Sequence, residues 1–487
     1  MLFSSSIFIL YFLPVFILIY LIIKDQFKNY FIVLASIVFY SWGAPKLVFL
    51  VILSVLLNYY ITKKLHHSDD RSKRKQLLFL SVVINLGMLL YFKYANFFIE
   101  NVNACLNNFG FEQIHWTNIA LPIGISFFTF QSLSYTIDVY RKICKPVNNP
   151  IELLLYILLF PQLIAGPIIR YNNIADQIQD RKKNENIDNK LYGIYRFIIG
   201  LSKKVLIANM IGEKADIIFS MSPDNLNSSL AWIGVIAYSF QIYFDFSGYS
   251  DMAIGIGRIM GFKFPENFNN PYVSSNVTEF WQRWHISLST WFRDYLFLPL
   301  AYMISKKLKK NQYYHVKTEY WIYILAITVT FFLCGFWHGA EWNFAVWGLY
   351  YGLFLILDKL FLKKLLSKIW RLASVLITYV IVLIGWVVFR IESLPDAFAY
   401  IYKMFRFDFH SVNVLLGVEF WVFFSFGALF SFITLFKPGL KLQDYFYKVK
   451  YNIQRDMVLF GIILILLVLS VSYITSGDFN PFIYFRF

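Results

Sequence analysis

Long blocks of apolar residues with almost no charge recur along the whole chain. Residues 2–23 contain no Asp, Glu, Lys or Arg, and similar blocks follow near residues 30–61, 77–99, 119–138, 151–169, 191–211, 229–248, 321–357, 372–389, 415–436 and 457–475. A helix crosses a bilayer with roughly 20 apolar residues, and lipid tolerates no open strand edges. The pattern predicts an all-α, polytopic integral membrane protein with about 11–13 transmembrane or re-entrant helices. We expect residues 1–487 to form a single membrane domain.

The distribution of charge supports this prediction and argues against a nucleic-acid partner. Only 15% of the residues are charged, where a soluble chain has about 25%. The net charge of +16 comes from Lys and Arg concentrated in short loops, at residues 63–75, 141–145, 306–310 and 359–371. Basic residues mark the cytoplasmic loops of membrane proteins. The positive charge therefore indicates topology and contact with membrane lipids.

One segment differs from the apolar blocks. Residues 261–317 are too polar to span a membrane, yet they are unusually rich in Trp, Tyr and Phe. Such a composition is typical of a segment that folds against the membrane domain or lies at its interface. We expect a re-entrant or loop segment here.

Within this segment, residues 279–299 place aromatic residues at helical spacing. On a helix, one stripe would contain Trp281, Trp284, Leu288, Trp291 and Tyr295. His285 falls at the edge of that stripe, and Arg283, Thr290 and Asp294 lie opposite. The pattern therefore predicts that His285 points into a packed aromatic region. The alternative is a structural histidine whose hydrogen bond a carbonyl satisfies.

A second histidine follows a nearly continuous apolar span. His338 comes late in residues 320–347, and an ionisable group at membrane depth is a functional candidate because its burial is costly. Basic loops precede this span and follow the next one, so the two spans should form a hairpin that opens to the outside. Gly335 and Gly339 allow close approach of another backbone or a substrate. The alternative is a histidine that caps a helix end near the interface.

Two buried histidines suggest proton chemistry, because imidazole can accept a proton from an attacking hydroxyl near neutral pH. Other catalytic arrangements have weaker support. No G-x-S-x-G motif occurs, and Cys334 is better explained as a small packing residue. The three cysteines have no metal-binding spacing, so we expect no metal site. Asp245 is a weak candidate for a polar network.

The two histidine segments resemble the signatures of one enzyme family. Residues 266–300 read ENFNNPYVSSNVTEFWQRWHISLSTWFRDYLFLPL, and residues 334–352 read CGFWHGAEWNFAVWGLYYG. Both are similar to motifs of the bacterial membrane-bound O-acyltransferases. Residues 121–141, residues 160–171 and the two ends of the chain extend the likeness to its polysaccharide-acetylating branch, which includes alginate and peptidoglycan O-acetyltransferases.

The resemblance implies a ring of helices around a central funnel, with His338 in a tunnel between the two faces of the bacterial inner membrane. It implies that His338 acts as the general base and that His285 orients the donor or stabilises an oxyanion. The remaining residues that match the motifs would bind substrate: Arg283, Trp284, Arg293, Asp294, Trp337 and Asn343.

The resemblance also implies the substrates. The donor would be a cytoplasmic acetyl thioester such as acetyl-CoA, used as a substrate with no bound cofactor. The acceptor would be an extracytoplasmic polysaccharide, alginate-like or peptidoglycan, reached directly or through a periplasmic or extracellular acetyltransferase partner protein.

Two other functions compete with this one. A transporter of an acyl donor or a lipid-linked sugar would have inverted repeats with paired broken helices, and the sequence has no evident internal repeat. A membrane scaffold for a secretion complex would tolerate the loss of His338.

Overall fold

The computed structural model describes residues 1–164, 166–222, 225–409, 416–448, 452–477 and 479–483. These residues form two compact units, one made of residues 1–197 and 252–265 and the other of residues 198–251 and 266–487. Two helices, Ile187–Ser202 and Ser228–Ile259, contribute residues to both. The expectation that the whole chain is one domain stays a prediction.

The first unit is built from helices of very different length. After a π-helical turn at Phe8–Phe12, its helices are Leu13–Ile22, Asp25–Ser41, Leu47–His67, Arg71–Leu89, Ala95–Asn108, Ile125–Tyr140, Pro150–Leu158, Phe160–Leu163 and Tyr171–Gln179. A buried polar cluster joins three of them. Ser81 Oγ lies 2.7 Å from Asn58 Oδ1 and 3.1 Å from Thr136 Oγ1, and Asn85 Nδ2 donates to Asn58 Oδ1. Such a network specifies how apolar helices pair, because its groups have no water to replace their partners.

The second unit contains both candidate histidines. We label the part of Ser228–Ile259 that lies in it α1, and the following helices α2 (Val277–Arg283), α3 (Ile286–Phe292), α4 (Thr318–His338), α5 (Trp342–Leu357) and α6 (Arg371–Arg390). The remaining α-helices of this unit are Met210–Phe219, Leu298–Lys307, Lys363–Leu366, Leu394–Phe405, Val418–Phe432, Lys437–Tyr447 and Ile453–Ser476.

A small hairpin precedes α4. Its strands, β1 (Gln312–Tyr313) and β2 (Val316–Lys317), pair antiparallel with Gln312 opposite Lys317. The two turn residues, Tyr314 and His315, both have positive φ, as a type I′ turn requires.

Seven helices in the described part of the chain are long and apolar enough to cross a membrane. They are Leu47–His67, Arg71–Asn108, Thr318–His338, Trp342–Leu366, Arg371–Arg390, Val418–Leu435 and Ile453–Ser476, and a shorter apolar helix covers Phe8–Ile22. The prediction of an all-α membrane protein is confirmed. Several other predicted blocks form shorter helices, including Ile125–Tyr140 and Pro150–Leu158.

Residues 261–317 contain none of these candidate spans, as predicted. However, residues 279–299 do not form the one continuous helix on which the aromatic stripe was drawn. The chain leaves the helix at Trp284 and starts a new one at Ile286. A π-helical turn follows at Arg293–Phe297.

Candidate active site

The α4–α5 hairpin places His338 at the last residue of α4. Gly335 and Gly348 bring the two helices into close contact, because a Cβ on Gly335 would overlap the carbonyl oxygen of Phe344. The predicted hairpin is therefore present, and Gly335 serves the approach of the neighbouring backbone. His338 is buried at this end of the hairpin, with 7% of its surface exposed.

A sharp break between α2 and α3 places His285. Asn276 caps α2 by accepting the backbone N–H of Glu279, and Glu279 accepts the backbone N–H and the hydroxyl of Ser275. After α2 ends, Trp284 is extended and His285 is left-handed, with φ 43° and ψ 53°. A non-glycine residue costs about 1–2 kcal/mol in this region. Such strained residues cluster at functional sites.

The side chain of Asn267 holds this break in place. Its Oδ1 accepts the backbone N–H of Ser287 at 3.2 Å and the Ser287 hydroxyl at 2.8 Å, and His285 Nδ1 lies 3.1 Å from the same oxygen. The backbone carbonyl of Asn267 accepts the N–H of Ile286. Because a backbone N–H can only donate, the amide atom facing Ser287 is the oxygen. His285 Nδ1 must therefore carry a proton, and in the neutral ring Nε2 is the acceptor nitrogen.

Burial lowers the pKa of His285 from 6.5 to about 3. The residue is 1% exposed and lies outside the seven candidate spans. Its ring packs edge-on against Phe246, with ring centroids 4.7 Å apart, and near-parallel to Phe268. His285 is consequently a neutral imidazole at physiological pH.

The two histidines line the same apolar cavity, although 53 positions separate them in the sequence. The empty space, which includes solvent at the cavity's opening, is about 330 Å³. Its other walls are Ile242, Phe246, Trp284, Trp347, Trp386, Phe389 and Ile483. Trp347 and Phe389 pack edge-on against His338, with ring centroids 5.0 and 5.4 Å away. An apolar wall excludes water and strengthens electrostatic interactions inside.

The predicted site residues divide into two groups. Trp284 lines the cavity, and the ring of Trp337 lies 6.4 Å from that of His285 and 4.9 Å from that of His338. Asn343 is buried, and its Nδ2 donates to the carbonyl of Val388, 3.4 Å away on α6.

Three predicted residues of the first motif do not line this cavity. Arg283 pairs with Glu279 and donates to the carbonyl of Asn269. Arg293 and Asp294 pair with each other, and the Arg293 side chain is 59% exposed. Their assignment to substrate binding stays a prediction that rests on the motif.

Several residues that hold the histidines or line the cavity were not predicted from the sequence. Asn267 lies within the first motif, so its hydrogen-bonding capacity next to a Pro-containing turn was the available signal. Trp386 and Phe389 belong to a span that looks uniformly apolar, and nothing in the local pattern distinguishes them. Asp245, a weak candidate, forms an ion pair with Lys204 at 2.7 Å.

Among the described residues, no group of three His, Cys, Asp or Glu side chains is arranged to hold a metal ion. The cavity contains two imidazoles in an aromatic enclosure. Such a site can orient a hydroxyl group and accept its proton.

Comparison with known proteins identifies the family. Residues 37–391 match the model of the MBOAT, membrane-bound O-acyltransferase family. The chain is 36% identical over 502 residues to "Probable alginate O-acetylase AlgI" of Pseudomonas putida, covering 100% of both chains. Its counterpart in Pseudomonas aeruginosa is 40% identical over 408 residues, which is 84% of this chain and 75% of that protein. The "Peptidoglycan O-acetyltransferase" of Helicobacter pylori is 35% identical over 430 residues, covering 82% and 78%.

The chain therefore belongs to the membrane-bound O-acyltransferase family, and it is a multi-pass membrane enzyme that transfers acyl groups to oxygen. This confirms the resemblance of the two histidine motifs. It favours the enzyme over the transporter and the scaffold.

Proposed function

We propose that this protein is an O-acetyltransferase of the bacterial inner membrane, which moves an acetyl group from a cytoplasmic thioester to a hydroxyl of an extracytoplasmic polysaccharide. The observation that carries the proposal is the shared cavity of His285 and His338. Both rings face this one space, so a reacting group held there would meet both histidines. The bulk of a donor and of a polymer would stay outside.

In the proposed reaction, the acceptor hydroxyl oxygen attacks the carbonyl carbon of the thioester. A ring nitrogen of His338 takes the hydroxyl proton as the new C–O bond forms. The C–S bond then breaks, and the proton passes to the departing thiolate, so that the products are an ester and a thiol. His338 ends α4, and the partial negative charge at a helix C-terminus stabilises an imidazolium in that position.

The second histidine has an orienting role in this proposal. A neutral ring that donates from Nδ1 to Asn267 carries its lone pair at Nε2. A lone pair can hold a hydroxyl group or an N–H group of the donor. It cannot stabilise an oxyanion, which needs a hydrogen-bond donor. The geometry therefore favours orientation over oxyanion stabilisation for His285.

Charge supports the proposed direction of transfer. Lysine-rich segments at 306–310 and 359–371 flank the α4–α5 hairpin, and an excess of Lys and Arg at the ends of spans is typical of the cytoplasmic side. His338 then lies at the end of α4 away from the cytoplasm. A cytoplasmic acetyl thioester, such as acetyl-CoA, would reach His338 from the side of the membrane that carries the lysine-rich segments.

The acceptor is a polysaccharide hydroxyl in this proposal, because the relatives named above carry alginate and peptidoglycan in their names. Both remain candidates for this chain. An extracytoplasmic partner protein that relays the acetyl group to the polymer is part of the proposal.

The test compares the wild type with His338→Ala in a strain that lacks this chain and keeps the neighbouring genes. Each envelope polysaccharide is purified, its esters are cleaved with mild base, and the acetate released is quantified. The matched control is His66→Ala, since His66 is exposed in the last turn of another helix. Membrane levels of all variants are equalised.

We expect one polysaccharide to lose its ester-linked acetate with His338→Ala and to keep it with His66→Ala. That polysaccharide is then the acceptor. Acetate that is unchanged in every polymer would overturn the proposed function.

A further inference from the structure

A buried ion pair in the second unit has no part in the mechanism described above. Lys204 Nζ lies 2.7 Å from Asp245 Oδ1, and the two side chains are only 3% and 2% exposed. Lys204 follows the helix Ile187–Ser202 in a π-helical turn, and Asp245 lies on α1. Burying two charges costs several kcal/mol per ion before their attraction is counted. Such a pair therefore calls for an explanation beyond stability.

The pair binds the backbone of residues 480–483, which lie far away in the sequence. Lys204 Nζ donates to the carbonyl of Pro481 and to Asn209 Oδ1, and Asp245 Oδ2 accepts the N–H of Ile483 at 2.8 Å. Asn209 Nδ2 in turn donates to Asn480 Oδ1. Together these bonds fix both the position and the register of the segment, because they engage a backbone acceptor and a backbone donor two residues apart.

This register decides which side chain meets the cavity. Phe482 packs on Tyr249 of α1, with ring centroids 4.9 Å apart. The next residue, Ile483, is 3% exposed and forms part of the cavity wall beside both histidines. Ile483 and Ile242 are the aliphatic members of a wall that is otherwise aromatic or histidine. A shift of one residue would replace the branched aliphatic side chain with a ring.

We propose that Ile483 is a specificity-determining residue that closes the acyl end of the cavity and restricts transfer to the acetyl group, and that Lys204 and Asp245 are positioning residues that hold it there. This inference rests on the proposed acyl transfer at the two histidines. It identifies the residue that limits the length of the transferred acyl chain. A propionyl or butyryl group would collide with the Ile483 side chain when its carbonyl lies beside His338.

The first experiment replaces Ile483 with Ala in the strain described above, grown with added propionate. Acyl groups released by mild base are separated, and the ratio of propionyl to acetyl esters is compared with the ratio of the two thioesters in the cell. One methylene in an apolar pocket discriminates by about 10-fold to about 200-fold, so we expect Ile483→Ala to raise the normalised ratio by about 10-fold or more. Ile463→Ala is the matched control, since Ile463 is equally buried in the helix Ile453–Ser476.

The second experiment removes the ion pair of Lys204 and Asp245 with the double variant Lys204→Met/Asp245→Leu, which leaves no unpaired buried charge. We expect it to raise the propionyl ratio in the same direction as Ile483→Ala. The control is Lys203→Met/Asp251→Leu, which removes the ion pair at 2.6 Å between the same two helices. That control should keep the wild-type ratio.

An unchanged ratio in Ile483→Ala overturns the inference, provided that esters still depend on His338. If Ile483→Ala does not accumulate, the milder Ile483→Val decides, with a smaller rise expected and no rise contradicting the proposal. If wild type and His338→Ala released the same amount of ester-linked acyl groups, the proposed function itself would have failed.

Discussion

The side chain of Asn267 offers a sharp perturbation, because one buried amide oxygen holds both the break after α2 and the tautomer of His285. Asn267→Leu is close in size and removes this acceptor. His285 Nδ1–H and the backbone N–H of Ser287 then lose the partner they have at 3.1 and 3.2 Å. Each buried donor deprived of its partner costs about 1–3 kcal/mol. The variant should therefore be less stable by about 2–6 kcal/mol.

The effect on the reaction should be larger than a general loss of stability explains. A misplacement of about 1 Å in a reacting geometry can cost about 100-fold in rate. We expect Asn267→Leu to lower the rate per correctly folded molecule by about that factor. The assay supplies membrane vesicles with radiolabelled acetyl thioester and measures the label that enters polysaccharide, normalised to folded protein.

Asn267→Asp is the matched control, since its carboxylate can accept both N–H groups. Its negative charge would also raise the pKa of His285, which burial alone holds at about 3. We expect near-normal activity at high pH that falls as the pH drops and His285 becomes protonated. If Asn267→Leu retained the wild-type rate, or matched Asn267→Asp at every pH, the positioning role of Asn267 would be refuted.

Four further outcomes follow from the same geometry. Both His285→Gly and His285→Ala should lose activity, but the glycine variant should be the more stable by about 1 kcal/mol because φ is 43°, and thermal aggregation in detergent ranks the two. The pKa of His285 is lowered from 6.5 to about 3, so the unfolded chain binds a proton at a higher pH than the folded protein does. The stability of the wild type should therefore decline below about pH 6.5, relative to that of His285→Gln, by up to about 1.4 kcal/mol per pH unit. Parallel curves of stability against pH for the two proteins would contradict this. Gly335→Ala should abolish accumulation of the protein in the membrane, because the added Cβ would overlap the Phe344 carbonyl oxygen. The control Gly461→Ala should be tolerated, since the space around Gly461 is open. Immunoblots of membranes would compare the two. Arg293→Ala should leave stability unchanged, since its ion pair is exposed, and should raise KM for the thioester if the motif-based assignment is right; an unchanged KM would remove Arg293 from the donor site.

The sequence was sufficient for features that depend on local composition. Apolar blocks predicted the seven long apolar helices, although other blocks form shorter helices. Basic segments predicted the α4–α5 hairpin, and the aromatic neighbours of His285 and His338 predicted their burial. These properties follow from the cost of polar groups in lipid, and they depend on residues that are adjacent in the sequence.

The features that the sequence did not reveal depend on distant partners. The periodicity of residues 279–299 continues smoothly through His285, but the hydrogen bonds to Asn267 break the helix there. Arg283 and Asp294 belong to the same motif but do not line the cavity, in agreement with the helical spacing, which places them opposite the aromatic stripe. Ile483 could not be found at all, because its position depends on the ion pair of Lys204 with Asp245.

In the proposed mechanism, two histidines from separate segments form one acyl-transfer site, and a double-mutant cycle is the sharpest test of this arrangement. Initial rates of label transfer would be measured for wild type, His285→Gln, His338→Gln and the double variant in the vesicle assay. Residues that act as a unit are strongly non-additive. If both histidines serve one site, the double variant should be no slower than the slower single variant. Losses that multiply would show two independent contributions and would contradict a single site.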